Sequence, residues 1–194
     1  MTTRAHPTLD VDRLVSTAFE LLDQEGIDAL SMRRLAARLG VQAPAIYWHI
    51  KDKAQLQGLM VERIYAAAYR EVAAVGEWRE WLRLFGRALR RSFAAHRDGA
   101  RLCALARPAA QADPAERAQR IAAPLTALGL SHEQALSYQA SVISFALGWA
   151  TFEANGPMHH YLDQILDFER SFHGGLDALV NGLADAAVGN AAAG

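Results

Sequence analysis

The chain has 194 residues, with 20 lysines and arginines against 21 aspartates and glutamates, and 52% of its residues are hydrophobic. This length and hydrophobic content exclude a disordered chain and are sufficient for a buried core. A single cysteine excludes an internal disulfide and any metal site built from several cysteines, and it favours a reducing compartment. The N-terminus lacks the apolar run of a signal peptide, and the longest uncharged stretch, residues 134–152, is too polar for a membrane span. We therefore expect a cytoplasmic protein that does not bind membranes.

Apolar residues recur at helical spacing along nearly the whole chain, which predicts an all-α fold. A first helix carries an apolar stripe and ends at Gly26. Ser31 and Gly40 have the residue types of an N-cap and a C-cap, so they predict a short second helix between them. A third short helix begins near Gln42. Asp52 then opens a longer fourth helix through a capping box with the glutamine three residues later.

The second half of the chain predicts further helices, separated by glycines and prolines. A second capping box begins at Ser131, and the Asn-Gly-Pro sequence at residues 155–157 breaks the helical pattern. We divide the chain into two helical domains, residues 1–55 and 56–188, and expect residues 189–194 to be a flexible tail.

Residues 31–50 show the pattern helix, glycine-containing turn, helix, which is typical of a helix-turn-helix unit. Apolar side chains such as Leu35 and Ile46 are expected to point inward and to fix the angle between the two helices. The outward face of the third helix is then small, polar and aromatic, which suits a helix that lies in the major groove of DNA. From residue 29 to residue 53 the chain carries five basic residues and one acid, which predicts a basic surface here.

Individual side chains of this unit suit the groups that a DNA duplex presents. Arg33 and Arg34 lie in the first turn of a helix, where the dipole disfavours cations, so we expect both to meet an external anion; Arg33 is assigned to a guanine edge. Gln42 suits adenine, the small alanines of the third helix suit a thymine methyl group, and Lys53 suits a phosphate. For Trp48, contact with DNA and packing at the edge of the domain are both open. The predicted DNA-binding residues are Ser31, Arg33, Arg34, Gln42, Ala43, Pro44, Ala45, Tyr47, Trp48, His49 and Lys53.

The run LSMRRLAARLGVQAPAIYWHIKDK at residues 30–53 strongly resembles the DNA-binding domain of the TetR family of repressors. The likeness continues more sparsely through HRDGAR at residues 96–101, Arg-Pro at 107–108, and Gly-Leu at 175–176 and 182–183. The resemblance implies a homodimeric repressor that leaves a palindromic operator when a small molecule binds its larger C-terminal domain.

The second domain departs from the tetracycline-binding members of that family. Where those members carry a magnesium-binding histidine and a nearby threonine, this chain has Cys103 and Ala106. Mg²⁺ prefers oxygen ligands and water, so we expect a different, largely apolar ligand and neither a metal nor another cofactor. Ordinary core packing is the alternative for each residue of the expected pocket. The predicted ligand-binding residues are Tyr69, Trp81, Phe85, Leu89, Cys103, Ala106 and Arg107.

The uncharged helix at residues 134–152 is apolar on two opposite faces, so both faces must be covered. A second apolar stripe follows at residues 168–183, with glycines at 174, 175 and 182 that permit close helix contact. Together the two helices predict a four-helix dimer interface across a two-fold axis, the alternative being a monomer with one fully buried helix. The predicted interface residues are Tyr138, Val142, Phe145, Trp149, Phe172, Leu176, Leu179 and Leu183.

Other candidate sites are weaker. The histidines at residues 159–160 and at 173 lack carboxylates at ligand spacing and are interpreted as polar surface rather than as a metal site. Cys103 is either an inert buried thiol or a redox sensor whose pKa the neighbouring arginines lower. No nucleophile elbow or HExxH motif occurs, so we expect no enzyme. The alternative function is a helical ligand-binding protein or enzyme that has lost DNA binding.

Overall fold

A computed structural model describes residues 9–106 and 113–192, with side chains described as far as residue 185. These residues form ten α-helices and one 3₁₀ turn and include no strand, which confirms the all-α expectation. The elements are α1 (Val11–Glu25), the 3₁₀ turn (Ile27–Ala29), α2 (Met32–Leu39), α3 (Ala43–Tyr47), α4 (Lys53–Glu71), α5 (Trp78–Ala94), α6 (Gly99–Leu105), α7 (Pro114–Thr126), α8 (His132–Ala154), α9 (Gly156–Leu162) and α10 (Phe168–Ala192).

The first three helices form the small N-terminal unit that the caps predict. The Ser31 side chain accepts a hydrogen bond from the backbone N–H of Arg34, which satisfies one of the free donors at the start of α2. Gly40 ends α2 with φ +69°, a left-handed conformation that glycine adopts without a steric penalty. Leu35 and Ile46 are completely buried, so α2 and α3 are held against the same core.

Helix α4 connects the two parts of the chain without a break. The Asp52 carboxylate accepts the backbone N–H of Gln55 at 2.7 Å, as expected of an N-cap. The Gln55 side chain accepts instead the N–H of Lys51, one residue earlier than a capping box requires. Because α4 continues through residue 55, where we place the domain boundary, the two parts share this helix.

Helix α5 is central to the larger part and packs against α4, α8 and α10. Gly86 permits this packing, because a Cβ atom at this position would lie 2.9 Å from both methyl groups of Leu176 and 3.0 Å from Val142. On the same helix, the guanidinium of Arg90 contacts carboxylate oxygens of Glu153 and Glu169, each at 3.0 Å. These contacts join α5 to α8 and α10.

Two expectations about the second half have different outcomes. The capping box at Ser131 is confirmed, with both of its hydrogen bonds present. The flexible tail stays a prediction, although α10 continues through Ala192 and residues 189–192 are therefore helical. Residues 193–194 lie outside the described part of the chain. Within that part, no helix combines the length and the apolar character that crossing a membrane requires.

Candidate DNA-binding face and ligand cavity

The outer side of α2, α3 and the start of α4 forms a polar and aromatic surface, the candidate DNA-binding face. Trp48 is 88% exposed and Tyr47 is 51% exposed. Of the two possibilities left open for Trp48, packing at the domain edge does not occur, and a large aromatic ring is presented to solvent. The predicted DNA-binding residues that are exposed on this face are Arg33, Arg34, Gln42, Pro44, Tyr47, Trp48, His49 and Lys53.

The two alanines of α3 do not point fully outward. Ala43 and Ala45 are half-buried, and Ala43 packs against the core. The reason is that α3 has only five residues, and Ile46 turns completely into the core and holds its neighbours close to α2. The exposed side of α3 is therefore formed by Pro44 and Tyr47, with Gln42 and Trp48 at its ends.

The arginines of α2 differ in their surroundings. Arg34 forms an ion pair with Glu25 at the end of α1, and Arg38 donates a hydrogen bond to Gln24 at 2.5 Å. An internal carboxylate therefore pairs with Arg34, and the expected contact of this exposed side chain with an external anion stays a prediction. Arg33 is exposed and has no ion pair within the described residues, so its charge is available to a ligand.

The segment HRDGAR at residues 96–101 attaches α6 to the N-terminal unit. The Asp98 carboxylate accepts the backbone N–H of Ile27 at 2.9 Å, and the backbone N–H of Arg97 donates to Asp23 at 3.0 Å. The imidazole of His96 stacks on Phe19 with ring centroids 4.1 Å apart. These contacts hold the start of α6 against α1 and the 3₁₀ turn.

A cavity of about 730 Å³ lies between α4, α6, α7 and α8. Such a volume is in the range of small-molecule sites. Three predicted ligand-binding residues line it, namely Tyr69, Cys103 and Ala106. The structure thus brings together side chains from α4 and from the end of α6, as expected.

The other predicted pocket residues lie elsewhere. Trp81, Phe85 and Leu89 are at most 2% exposed and belong to the core behind Tyr69, whose ring centroid is 4.8 Å from that of Phe85. They do not line the cavity, because this side of α5 faces the core against α4 and α8. Arg107 lies outside the described residues.

The cavity also contains side chains that the sequence analysis missed. On α7 the wall is formed by Arg117, Arg120, Ile121 and Pro124, which follow the i, i+3, i+4, i+7 spacing of one helical face. Helix α4 contributes a similar face that includes Glu62. This spacing is visible in the sequence, but nothing there indicates that the two faces oppose each other.

Burial raises the pKa of two groups in the wall, the Cys103 thiol to about 12 and the Tyr69 hydroxyl to about 12. Cys103 is therefore a neutral thiol at pH 7, which disagrees with a redox sensor of lowered pKa and agrees with an inert thiol. The Tyr69 hydroxyl donates to the Gln139 side-chain oxygen at 2.8 Å. Gln139, which is completely buried, donates in turn to the carbonyl of Ile121 at 2.7 Å, so α4, α8 and α7 are connected.

The wall chemistry does not suit a magnesium ion. Among the described lining residues the one carboxylate is Glu62, and it faces the cation Arg117. Mg²⁺ takes oxygen ligands, and two arginines in the wall oppose a divalent cation. No group of three or more histidines, cysteines or acids is assembled anywhere in the described residues.

The predicted dimer residues fall into two groups. Tyr138, Val142, Phe172 and Leu176 are at most 7% exposed within a single protomer. They belong to its own core, so their assignment to a partner contact is wrong. Phe145, Trp149, Leu179 and Leu183 are half-buried.

A different surface of α8 and α10 is open to a partner. Ala140, Ser144, Gly148 and Phe152 are exposed at successive i+4 positions of α8, and residues 174, 178 and 182 of α10 are exposed small residues at the same spacing. We call this set the small-residue face. A Cβ atom added at Gly148, Gly174 or Gly182 would have nothing within 4 Å. Gly175 differs, because its Cβ would lie 2.8 Å from the Phe145 ring, so it serves the contact between α8 and α10.

The chain has an N-terminal helix-turn-helix unit, and a shared helix joins this unit to a larger helical domain that contains a cavity. This architecture is that of helical DNA-binding regulators. Residues 14–57 match the family profile of bacterial regulatory proteins of the tetR family, and residues 73–163 match the profile of the tetracyclin repressor-like C-terminal domain. The solved structure of TetR(class A) in complex with 5a,6-anhydrotetracycline and magnesium is similar, with a TM-score of 0.70 and 30% identity over 91% of this chain and 99% of that one. The chain therefore belongs to the tetR family.

Two curated relatives are similar in sequence. One is an HTH-type transcriptional regulator of Saccharopolyspora erythraea, 33% identical over 151 residues and 78% of this chain. The other is the tetracycline repressor protein class E of Escherichia coli, 34% identical over 143 residues and 72% of this chain. The matches cover 64% and 66% of those proteins, slightly less than two thirds of their length.

Proposed function

We propose that this protein is a homodimeric transcriptional repressor of the cytoplasm that leaves a palindromic DNA operator when a small molecule enters the cavity. The observation that carries the proposal is the candidate DNA-binding face. It presents Tyr47, Trp48 and His49 at the end of α3 and the exposed cation Arg33 at the start of α2. Exposed aromatic rings and an exposed cation on one helix-turn-helix unit suit contact with a phosphate backbone and base edges.

Each side chain of the face has a proposed role. Arg33 reads a guanine edge, Gln42 reads an adenine edge, and Lys53 contacts a phosphate. Tyr47, Trp48 and His49 lie along the sugar-phosphate backbone. Ser31 and Arg34 act indirectly, since the first caps α2 and the second is paired with Glu25.

The dimer is proposed to form through the small-residue face. Its residues are uncharged and small except for Phe152, so two copies of α8 and α10 can approach closely in a four-helix arrangement. A two-fold dimer presents two recognition helices to half-sites about 34–36 Å apart, which explains why the operator is palindromic.

Binding to DNA is tested by fluorescence anisotropy with the duplex that lies immediately upstream of the protein's own gene. A scrambled duplex at the same salt concentration is the control. We expect a preference of about a thousandfold for the upstream duplex, the lower end for specific readers, and an affinity that falls steeply with salt. Equal binding to both duplexes, together with failure of a genome-wide binding selection, would support the alternative of a ligand-binding protein or enzyme that no longer reads DNA.

A further inference from the structure

The charges in the cavity wall define the kind of molecule that the cavity accepts, given the proposed function, in which this cavity is the ligand site. Helix α7 presents Arg117 and Arg120 to the cavity, three residues apart on one helical face. Against these two cations the described wall offers a single acid, Glu62, so it carries an excess of one positive charge.

Neither arginine is satisfied by a close partner within the described residues. The guanidinium of Arg117 lies 3.8 Å from the Glu62 carboxylate, which is longer than a hydrogen bond, and its side chain is only 26% exposed. Arg120 has no ion pair within the described part of the chain. Both therefore retain free N–H donors, in the planar geometry that matches the two oxygens of a carboxylate or sulfonate.

The rest of the cavity is apolar and aromatic. Val61, Ile121 and Ile143 contribute aliphatic surface, and Tyr65 and Tyr69 contribute aromatic rings. The Tyr69 hydroxyl is already used by Gln139, whereas that of Tyr65 has no hydrogen-bond partner among the described residues. Burial raises the pKa of Tyr65, so this hydroxyl keeps its proton and remains a donor.

We infer that the ligand is an amphipathic organic anion, with a carboxylate or similar oxyanion held by Arg117 and Arg120 and an apolar, ring-containing body in the remainder of the cavity. The inference narrows our expectation of a largely apolar ligand to one with an anionic head, because a neutral apolar molecule would make no use of the free donors of Arg117 and Arg120. Charge-assisted, bidentate hydrogen bonds from arginine supply the selectivity for the anionic head.

The test compares two fluorescent probes that share one aromatic skeleton. Anilinonaphthalene sulfonate carries an anionic sulfonate, and N-phenylnaphthylamine is its neutral counterpart. Titrated into the full-length protein, the sulfonate should bind more tightly than the neutral probe. Arg117→Gln and Arg120→Gln should each lower the affinity for the sulfonate by about tenfold, which corresponds to one charge-assisted hydrogen bond. Neither substitution should change the affinity for the neutral probe. Glu62→Gln should instead raise the affinity for the sulfonate, because it removes the acid that competes for Arg117.

The controls separate the cavity from the rest of the surface. Arg91→Gln removes an exposed cation of α5 that pairs with Glu71 and does not line the cavity, so it should change neither affinity. Ala66→Trp fills the cavity and should reduce the binding of both probes. Circular dichroism verifies that each variant is folded.

Three outcomes would overturn the inference. The first is an equal loss of affinity for both probes in the arginine variants. The second is an unchanged affinity for the sulfonate in those variants, and the third is sulfonate binding that persists in Ala66→Trp. Anisotropy with the upstream duplex, measured on the same proteins, keeps the two proposals apart. DNA binding without charge-selective probe binding contradicts only the ligand class, and charge-selective binding without DNA binding contradicts only the proposed repressor.

Discussion

Arg101 of α6 joins Asp28 of the 3₁₀ turn through two parallel hydrogen bonds, Nη1 to Oδ2 and Nη2 to Oδ1, each of 3.0 Å. The helix that carries Cys103 into the cavity wall is thus attached directly to the N-terminal unit. The hydrogen bond from the backbone N–H of Ile27 to Asp98 is a second contact between α6 and the 3₁₀ turn, so a displacement of α6 would be passed to that turn. The sequence places these residues 73 positions apart, and only the fold brings them together.

The Arg101–Asp28 pair predicts an acid-sensitive contact. The Arg101 side chain, by hydrogen bonding first and by its charge second, lowers the pKa of the Asp28 carboxyl. A lowered pKa in the folded state means that the pair stabilises the protein above the ordinary aspartate value, about 4, and that this stabilisation is lost as pH falls through the folded-state pKa. NMR titration of the Asp28 carboxyl carbon should give a midpoint below that value, and Arg101→Gln should return the midpoint towards it. An identical midpoint in both proteins would contradict the contact.

Substitution of Trp48 should affect DNA binding without affecting the stability of the fold. Because the side chain is 88% exposed, Trp48→Ala should change the free energy of unfolding by less than about 0.5 kcal/mol. The same substitution should weaken operator binding by about tenfold, since it removes a large contact surface beside α3. Ile165→Ala, which removes another exposed apolar side chain from the segment after α9, is the matched control and should leave DNA affinity unchanged. Unaltered DNA affinity in Trp48→Ala would place the recognition surface elsewhere.

Gly99 starts α6 where no side chain fits. A Cβ atom there would lie 2.4 Å from the backbone carbonyl oxygen of Phe93. Gly99→Ala should therefore destabilise the protein by about 1–3 kcal/mol, measured by urea unfolding, because either α5 or α6 must move. At Gly76, between α4 and α5, nothing lies within 4 Å of the added atom, so Gly76→Ala should be nearly neutral. Equal stabilities of the two variants would show that the contact is not rigid.

Gly174 tests the proposed dimer interface. It is exposed on α10, and a Cβ atom added there has nothing within 4 Å, so Gly174→Glu should leave the helical content unchanged. If two small-residue faces pack together, the buried and unpaired carboxylate should convert the dimer into a monomer in sedimentation equilibrium at micromolar concentration. Gly76→Glu provides the control for the added charge. A dimeric mass for Gly174→Glu would move the interface away from this face.

Cys103 is the single cysteine, so its reactivity can be followed by mass spectrometry without interference from other thiols. With burial raising its pKa to about 12, the thiolate is scarce at neutral pH and alkylation by iodoacetamide should be slow. The rate should rise steadily from pH 7 to pH 10 without a plateau, whereas glutathione, the control, should level off near its ordinary pKa. A plateau below pH 9 would restore the redox-sensor hypothesis.

Much of the local structure could be predicted, because short-range chemistry decides it. The caps at Ser31, Asp52 and Ser131 depend on side chains that reach the backbone three residues away. Gly40 ends α2 for an equally local reason, its positive φ. In the N-terminal unit the pattern also predicts the burial of Leu35 and Ile46 and the exposure of Tyr47 and His49, but not the half-burial of the alanines of α3.

Long-range packing decided what the pattern could not. In the sequence, the apolar residues of α8 and α10 are equally suited to a core and to a partner contact. In the structure, Val142 and Leu176 pack against Gly86 of α5. Likewise, the sequence suggests a pocket of aromatic residues on α5, but Phe85 is buried in the core while α7 faces the cavity. Hydrophobicity measures whether a side chain leaves water and contains no information about which surface covers it.

The sequence by itself determined the all-helical class, the caps, the helix-turn-helix unit and the family, because each depends on residues close together in the chain. The tertiary structure alone decided the pairing of Arg34 with Glu25, the contacts of α6 with the N-terminal unit, and the two arginines of α7 in the cavity. The physical reason is that a charge has a different effect when paired, exposed or enclosed, and its surroundings come from segments far away in the chain.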